Sequence, residues 1–403
     1  MNEVRALVEA FDEANMRGER CALATVVSVE GSSYRRPGAR MLVCEGGASN
    51  GTISAGCLES DVIEHAKRVI RMGEAVLVEY NTASTSDEMA WGLGLGCNGI
   101  VRVLVEPLQP DSLYVEALRR SCESNAAPAL VATFYQHMPT ESAPRAARIE
   151  TGARIIIDED GNARHDKLSA HLAALLESEV RALSNEEAAS GASSLDVDGG
   201  AVTVFIETLM PPVPVVIFGA GRDALPIVEL ARSLGWQTEV VDPQARPDSL
   251  ARFAIADRVT LSRPEEVAAR VAITPRTLTL LMSHNYSHDL ALLRFLLASP
   301  ARYIGVMGPR TRTRRMLSEL AANEETFRQE EADLSRLYSP AGLDIGANSS
   351  AEIALSIVAE MRALLEGRRG GMLRERRGSI HGSTTRAERV PLNEEQALTV
   401  AVA

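Results

Sequence analysis

The segment FGAGRDA at residues 218–224 constrains the fold of this 403-residue chain more than any other feature. The apolar run VVIFG (215–219) predicts a buried strand before it, and residues 222–234 predict a helix after it. A glycine-rich turn between strand and helix, with an acidic residue about 20 positions further on, is typical of dinucleotide-binding folds. The residues that match this fingerprint are Gly219, Gly221, Ala224 and Asp242.

Strands and helices alternate through the rest of the C-terminal half. The predicted strands lie at 236–242, 258–261, 276–282 and 302–307. The predicted helices lie at 264–271, 287–298, 310–322 and 350–366. Such alternation specifies a parallel sheet with helices on both faces. We therefore predict a Rossmann-like, doubly wound domain.

The loops after the parallel strands predict a ligand site at the carboxyl edge of that sheet. The glycines of the first turn permit a phosphate to approach a helix N-terminus, although they could equally serve only to make a tight turn. The loop SHNYSHD (283–289) carries His284 and His288 at i,i+4 spacing. A metal pair with Asp289 as a third ligand is one interpretation of these histidines, and ordinary hydrogen bonding or exposure is the more common one. In the loop GVMGPRTRTRR (305–315), Gly308 and Arg310 could meet an anion.

The proline-rich segment MPPVP (210–214) predicts the main domain boundary. We assign 1–210 to an N-terminal mixed α/β domain, 211–382 to the Rossmann-like domain and 383–403 to a mobile tail. In the first domain we predict helices at 2–17, 58–71, 111–124 and 167–184. We predict strands at 21–29, 40–44, 51–54, 76–80, 100–108, 129–135, 153–157 and 201–209, and a loop at 184–194. Segment 111–200 is the hardest to place.

Two glycine-rich regions of the N-terminal domain contain cysteines. Cys57 lies in GTISAGCLESD (51–61), at a predicted helix start where the helix dipole favours the thiolate. Cys97 lies in WGLGLGCNG (91–99). Such thiols could contact a soft metal or carry sulfur, or they could be small buried residues. The nearby arginines of GSSYRRPGARM could bind a phosphate or lie at the surface: Arg35, Arg36 and Arg40.

Composition limits the class of protein. The net charge of −12 argues against a nucleic-acid binder and against an anionic membrane surface. No apolar run approaches the roughly 20 residues that span a bilayer, and the N-terminus reads as an amphipathic helix. The five cysteines are odd in number and form no C-x-x-C pair. We therefore expect reduced thiols in a cytoplasmic protein, with little support for zinc or iron–sulfur sites.

Several motifs resemble the XdhC/CoxI family. In the N-terminal part they are GSSYRRPGARM (31–41), GCLE (56–59) and GLGCNG (94–99). In the C-terminal part they are FGAGRDALP (218–226), MSHNYSHD (282–289), YIGVMGPRTRT (303–313) and GLDIGANSSAEIALSIVAE (342–360). The resemblance covers roughly 1–108 and 205–382. Arg222 stands where many XdhC members have histidine, and Arg246 is displaced from its usual place behind Asp242.

The resemblance implies an accessory protein for molybdenum hydroxylases rather than an enzyme. Members bind the molybdenum cofactor, a molybdopterin with or without an added nucleotide. They support its sulfuration by a cysteine desulfurase and deliver it to an apo-hydroxylase of the xanthine or CO dehydrogenase type. The resemblance also leads us to expect a homodimer. We expect Cys57 and Cys97 near the metal or its terminal sulfur.

The expected cofactor-binding residues in the Rossmann-like domain are Gly219, Gly221, Arg222, Asp242, His284, Gly308 and Arg310. Asp242 also fits a competing function, an NAD(P)-dependent oxidoreductase, because a carboxylate there can accept a hydrogen bond from a ribose 2′-hydroxyl. No catalytic acid or hydride-acceptor site can be named for that alternative. A third alternative is a scaffold for cofactor insertion that binds no small molecule.

Overall fold

The computed structural model describes residues 2–31, 34–54, 56–81, 99–124, 126–139, 148–185, 191–197, 200–243, 251–322 and 333–376. The chain divides into two compact units, Met1–Pro212 and Val213–Ala403, and the division along the chain falls in the proline-rich segment. Among the described helices, none is both long and apolar enough to cross a membrane. The expected tail at 383–403 lies outside the described residues.

The N-terminal unit contains two antiparallel five-stranded sheets. The first sheet has the order β3-β2-β1-β5-β4. Its strands are β1 Cys21–Gly31, β2 Arg40–Cys44, β3 Ser49–Gly51, β4 Val76–Asn81 and β5 Gly99–Leu108. The second sheet has the order β8-β7-β6-β10-β9. Its strands are β6 Ala129–Pro139, β7 Ala153–Ile157, β8 Ala163–Asp166, β9 Gly191–Val197 and β10 Gly200–Leu209.

The helices of this unit cover the sheets. They are α1 Asn2–Met16, α2 Glu59–Met72, α3 Leu113–Arg120 and α4 Ala170–Asn185. Alternate residues of β1 face opposite sides, as a strand requires. Ala22 and Ala24 pack toward α2, whereas Cys21 and Leu23 pack into a core shared with α1, α3 and the second sheet. The far face of the second sheet packs against α4.

Two ion pairs are buried where the sheets face each other. Arg40 on β2 contacts Glu207 on β10 at 2.5 Å, with both side chains less than a tenth exposed. Arg154 on β7 pairs with Glu106 on β5, with an Nη1–Oε2 distance of 2.8 Å. Tyr114 lies between them. Its hydroxyl oxygen accepts a hydrogen bond from the Arg40 guanidinium, and the Arg154 guanidinium lies over its ring. Burial raises the pKa of Tyr114 to about 12, so the phenol keeps its proton.

The C-terminal unit is a six-stranded parallel sheet of order β13-β12-β11-β14-β15-β16. The strands are β11 Pro214–Phe218, β12 Gln237–Asp242, β13 Arg258–Leu261, β14 Leu278–Leu281, β15 Tyr303–Val306 and β16 Leu337–Tyr338. In chain order this is 3-2-1-4-5-6, the dinucleotide-binding arrangement. The predicted fold class is therefore confirmed: mixed α/β, with a Rossmann-like parallel sheet in the C-terminal unit.

Helices cover both faces of the parallel sheet. They are α5 Leu225–Ser233, α6 Val267–Arg270, α7 Tyr286–Ala298, α8 Arg310–Ala322 and α9 Ser350–Leu365, with a short 3-10 turn at Arg222–Ala224. Helices α5 and α9 bury apolar residues against one face. Helices α6, α7 and α8 do so against the other.

Three local predictions were wrong or incomplete. The strand predicted at 51–54 lies at Ser49–Gly51, because the following residues form the capping loop of α2. The loop predicted at 184–194 contains the start of β9, a largely polar strand that pairs with β10. Two short strands, β8 and β16, were missed, since neither has an alternating apolar pattern long enough to detect.

The buried ion pair makes a testable prediction about stability. Arg40→Met removes one charge and leaves Glu207 buried without its partner, so we expect the free energy of unfolding to fall by about 3–5 kcal/mol. Urea unfolding of the full chain measures this. Arg164→Met, which breaks an exposed pair with Glu116 in the same unit, is the matched control and should cost much less. Equal losses in the two variants would show that burial of the pair is unimportant.

Candidate functional site

The glycine turn after β11 touches the loop after β14. Gly219 has φ +126°, and a Cβ there would lie 2.6 Å from the carbonyl oxygen of Met282 and 2.9 Å from the Cα of Ser283. Only glycine fits both the backbone conformation and this contact. The FGAGRDA turn and the SHNYSHD loop therefore form one continuous surface at the carboxyl edge of the sheet.

A side-chain hydrogen bond lies over this surface. Asp223 Oδ2 lies 3.0 Å from His284 Nε2, which joins the two loops. His284 adopts φ +57°, an uncommon conformation for a residue with a side chain. A Cβ on Gly221 would overlap Asp223 Oδ1, so this carboxylate lies over the second glycine of the turn. In a dinucleotide-binding turn, that position borders the phosphate.

The other residues predicted for this edge are spread around it. Arg222 and Arg310 are exposed, and Arg310 begins α8 directly after the turn at Gly308, which has φ +111°. Asp242 ends β12, where its carbonyl accepts a hydrogen bond from the Ser262 amide at 3.3 Å. Beside these strand ends lies a small, shallow cleft lined by Gly219, Pro243, Ser262, Ser283 and His288 among others.

Asp289 organises the loop before α7. It is 1% exposed, accepts a hydrogen bond from Ser283 at 2.6 Å and pairs with Arg312 of α8 at 2.8 Å. These contacts occupy the carboxylate that the sequence offered as a third metal ligand beside His284 and His288. Within the part of the chain that the structure describes, no three His, Cys, Asp or Glu side chains come together to hold a metal ion.

The Cys57 loop forms the entry to α2. The amides of Gly56, Cys57 and Leu58 all donate to the Ser54 hydroxyl oxygen, at 3.0–3.2 Å. That hydroxyl in turn donates to Glu59, which also accepts from Thr52 at 2.6 Å. Cys57 is half-buried and packs against the cluster between α2 and the first sheet. Because these contacts fix the loop backbone, the thiol is held in one place next to the helix N-terminus.

Glu59 acts as an anionic cap of this loop. Although burial raises its pKa, hydrogen bonds from Ser54 and Thr52 and from backbone amides lower it to about 2. The carboxylate is therefore charged at neutral pH and stabilises the first turn of α2.

The three predicted phosphate-binding arginines have different surroundings. Arg35 pairs with Glu3 of α1, and Arg36 is exposed. Arg40 is buried in its pair with Glu207 and bonds the Gly38 carbonyl at 2.9 Å, so its guanidinium has a structural role. We therefore leave Arg40 out of the proposed site. Cys97 lies outside the described residues, but its flanking strands β4 and β5 pair with each other up to Asn81 and Ile100.

Sequence reasoning missed Asp223 and the Ser54–Glu59 pair as site residues. The available signal for Asp223 was its acidic side chain inside the glycine turn, because a negative charge is unusual next to a phosphate. The spacing of Ser54 and Glu59 around a predicted helix start was the signal for the second. Neither signal gives the pairing with His284 or the convergence of three amides, since both depend on how loops fold in space.

Glu59→Gln should lower the free energy of unfolding at pH 7 by about 1–2 kcal/mol, because a partly exposed, hydrogen-bonded carboxylate is lost. A carboxyl group whose pKa is lowered on folding stabilises the protein above its unfolded pKa and loses that effect as pH falls. The difference between parent and variant should therefore be full above pH 4.5 and shrink as pH falls toward about 2. Urea unfolding at stepped pH measures it. A difference independent of pH would contradict this role.

Asp223→Asn should strengthen the binding of inorganic pyrophosphate about fivefold, because one like charge at the glycine turn is worth about 1 kcal/mol. Isothermal titration calorimetry on the full chain measures the affinity. Glu229→Gln, an exposed carboxylate further along α5, is the matched control and should leave the affinity unchanged. Weaker binding by Asp223→Asn than by the parent would show that Asp223 does not oppose an anion there.

Comparison with known proteins identifies related chains. A model of the XdhC and CoxI family matches residues 14–81, and a model of the XdhC Rossmann domain matches residues 215–361. A Bacillus subtilis protein described as a probable subunit of xanthine dehydrogenase is 29% identical over 344 residues, which are 85% of this chain and 92% of that protein. An uncharacterized Escherichia coli protein is 30% identical over half of this chain and 37% of its own length.

A solved structure is similar over most of the chain. It is described as a xanthine dehydrogenase from Bacillus halodurans, has a TM-score of 0.69 and 29% identity, and the match covers 90% of this chain and 97% of that one. The two family models together match more than half of the 403 residues and include both the Cys57 loop and the glycine turn. The chain belongs to the XdhC and CoxI family.

Proposed function

We propose that this protein is an accessory protein of a xanthine-dehydrogenase-type molybdenum hydroxylase, and that it binds the molybdenum cofactor, supports its sulfuration and delivers it to the apoenzyme. Its relatives support the broader part of this role, since two of them are described as a xanthine dehydrogenase or a subunit of one. The handling of the cofactor rests on the residues of the site.

The observation that carries the proposal is the Cys57 loop. A half-buried thiol lies at a helix N-terminus, on a backbone held by three hydrogen bonds from amides to the Ser54 hydroxyl oxygen. A fixed thiol with open solvent on one side suits a soft metal or a transferable sulfur. Its setting differs from that of Cys21 and Cys44, which are both fully enclosed in the core.

The donor set around Cys57 fits the molybdenum cofactor. The pterin of this cofactor supplies its own sulfur ligands to molybdenum, so a binding protein needs to add few metal ligands. One thiol on a loop whose backbone is held in place is in keeping with that need. When bound, the cofactor would supply the metal centre that the client enzyme uses. In this chain Cys57 would contact the metal or its sulfur, and Ser54 and Glu59 would keep the thiol in place.

We propose the Rossmann edge, taken by itself, as a contact for a phosphate or nucleotide group. Gly221 and the start of α8 at Arg310 would provide backbone amides and positive charge for a phosphate or nucleotide group, and Gly219 allows the group to approach the turn closely. The carboxylate of Asp223 lies over Gly221 and would oppose an anion at this edge. A ligand held only by its pyrophosphate would therefore bind more weakly at this edge. A ligand that makes further contacts there would lose less of its affinity.

An NAD(P)-dependent oxidoreductase is the alternative, because the strand order and Asp242 at the end of β12 suit a dinucleotide. Direct binding of NADH and NADPH by fluorescence distinguishes it. We further propose a cysteine desulfurase and a second copy of this chain as partners. Co-purification with a desulfurase and the mass in solution test those two contacts separately.

Cys57→Ala should reduce the molybdenum and pterin that co-purify with the protein at least fivefold while leaving it folded, because only a partly buried thiol is removed. Metal analysis and fluorescence of the oxidised pterin measure both. Cys122→Ala is the matched control, since Cys122 is also a partly buried free thiol but bonds the Leu118 carbonyl at the end of α3. Equal cofactor content in both variants and the parent would contradict the proposed site.

The purified protein should not oxidise xanthine with NAD as acceptor, and its co-expression should raise the activity of a molybdenum hydroxylase by increasing the fraction loaded with sulfurated cofactor. Steady-state turnover and the cofactor content of the client measure these effects. Turnover by the pure protein, or unchanged loading of the client when the gene is deleted, would contradict the accessory role.

A further inference from the structure

Cys21 and Cys44 lie directly opposite each other on adjacent antiparallel strands. Cys21 opens β1, Cys44 closes β2, and their Cα atoms are partners in the register. Both side chains point to the same face of the sheet and belong to the core cluster under α1. Their sulfur atoms are 2.8 Å apart, and both are free thiols.

The backbone at this pair has the geometry that a disulfide needs. The amide of Glu45 donates to the carbonyl of Arg20 at 2.8 Å. Arg20 and Glu45, next to the two cysteines, are therefore a hydrogen-bonded pair of the ladder. The amide of Cys44 turns away from β1 and donates to Ala48 at 2.8 Å. Cys21 and Cys44 therefore form a non-hydrogen-bonded pair, where Cα atoms lie about 4.5 Å apart. That distance falls within the roughly 4.4–6.8 Å range of disulfides.

No other described cysteine can compete for this pair. Cys57 follows β3, and Gly51 of β3 pairs with Met41 near the opposite end of β2 from Cys44. Cys122 follows α3, where its thiol bonds the Leu118 carbonyl at 3.3 Å. A disulfide formed by Cys21 or Cys44 therefore has one close partner among the described residues.

We propose that Cys21 and Cys44 are an oxidation site that forms an intramolecular disulfide, with a small-molecule disulfide such as oxidised glutathione as the oxidant. One thiolate attacks a sulfur of the oxidant, which forms a mixed disulfide and releases one thiol. The second thiolate then attacks the protein sulfur of the mixed disulfide, forms the Cys21–Cys44 bond and releases the second thiol. The two cysteine protons end on the two released thiols, so two electrons pass from the protein to the oxidant.

The surroundings make this a slow and protected site. Both thiols are less than 5% exposed. The residues next to them in the chain, Arg20 and Glu45, form an ion pair with each other. Burial, together with the neighbouring Cys44, raises the pKa of Cys21, so the thiol keeps its proton at neutral pH and reacts slowly. The disulfide, once formed, closes the loop from β1 to β2 within the folded core. It is independent of the proposed role of Cys57.

Mass spectrometry of the full chain tests the proposal. The native protein is incubated with oxidised glutathione, blocked with iodoacetamide and digested with trypsin and a glutamate-specific protease, which separates Cys44 from Cys57. We expect residues 21–30 linked to residues 41–45 with the loss of two hydrogens, while Cys57 and Cys122 appear outside this link. A second sample, refolded from urea in a glutathione buffer, gives the thiols access to the oxidant.

The melting temperature provides an independent readout. Oxidation should raise it by about 5–10 °C, because the link removes conformational freedom from the unfolded chain. Cys44→Ser should abolish both the linked peptide and the shift, whereas Cys122→Ser should keep both. The linked peptide in either sample supports the pairing. Its absence from both samples, or a link from Cys21 to a different cysteine, overturns the proposal.

Discussion

The N-terminal unit depends on charges buried between its two sheets. Arg40 and Glu207 come from different sheets, as do Arg154 and Glu106, and Tyr114 lies between the two pairs. A buried ion pair adds little net stability, but leaving one of its charges unpaired is costly. The sheets can therefore pack only in the arrangement that satisfies both pairs. This fixes β2, and with it the chain that leads through β3 to the Cys57 loop.

In the C-terminal unit a steric contact has the corresponding role. The carbonyl of Met282 lies where a Cβ of residue 219 would be, so the neighbouring strands β11 and β14 can carry their loops side by side only with glycine there. The Asp223–His284 pair then ties the same two loops through their side chains. The result is an edge with exposed arginines and backbone amides but a carboxylate at its centre, which disfavours a simple pyrophosphate site.

The described cysteines of the first sheet and its loops fall into two classes, those on strands and the one on a loop. Cys21 and Cys44 point into the core between the sheets, and their chemistry is restricted to each other. Cys57 lies outside any strand, on a loop whose amides are held by Ser54, and it has access to solvent. The proposed sulfur handling and the proposed oxidation are thus placed at opposite ends of β2.

The sequence alone determined the Rossmann-like domain, because a continuous apolar strand, a glycine turn and an acidic residue at the next strand end leave few other folds. It also predicted the helix start beside Cys57 to within one residue of Glu59, where α2 begins, since helical periodicity is a local pattern. Only the tertiary structure decided the fate of Arg40, whose partner Glu207 is far away in the chain, and the pairing of Cys21 with Cys44 and of Asp223 with His284. Local patterns record burial and turns, but the partner of a charge or a thiol depends on which strands and loops become neighbours, and that is set by the packing of the whole unit.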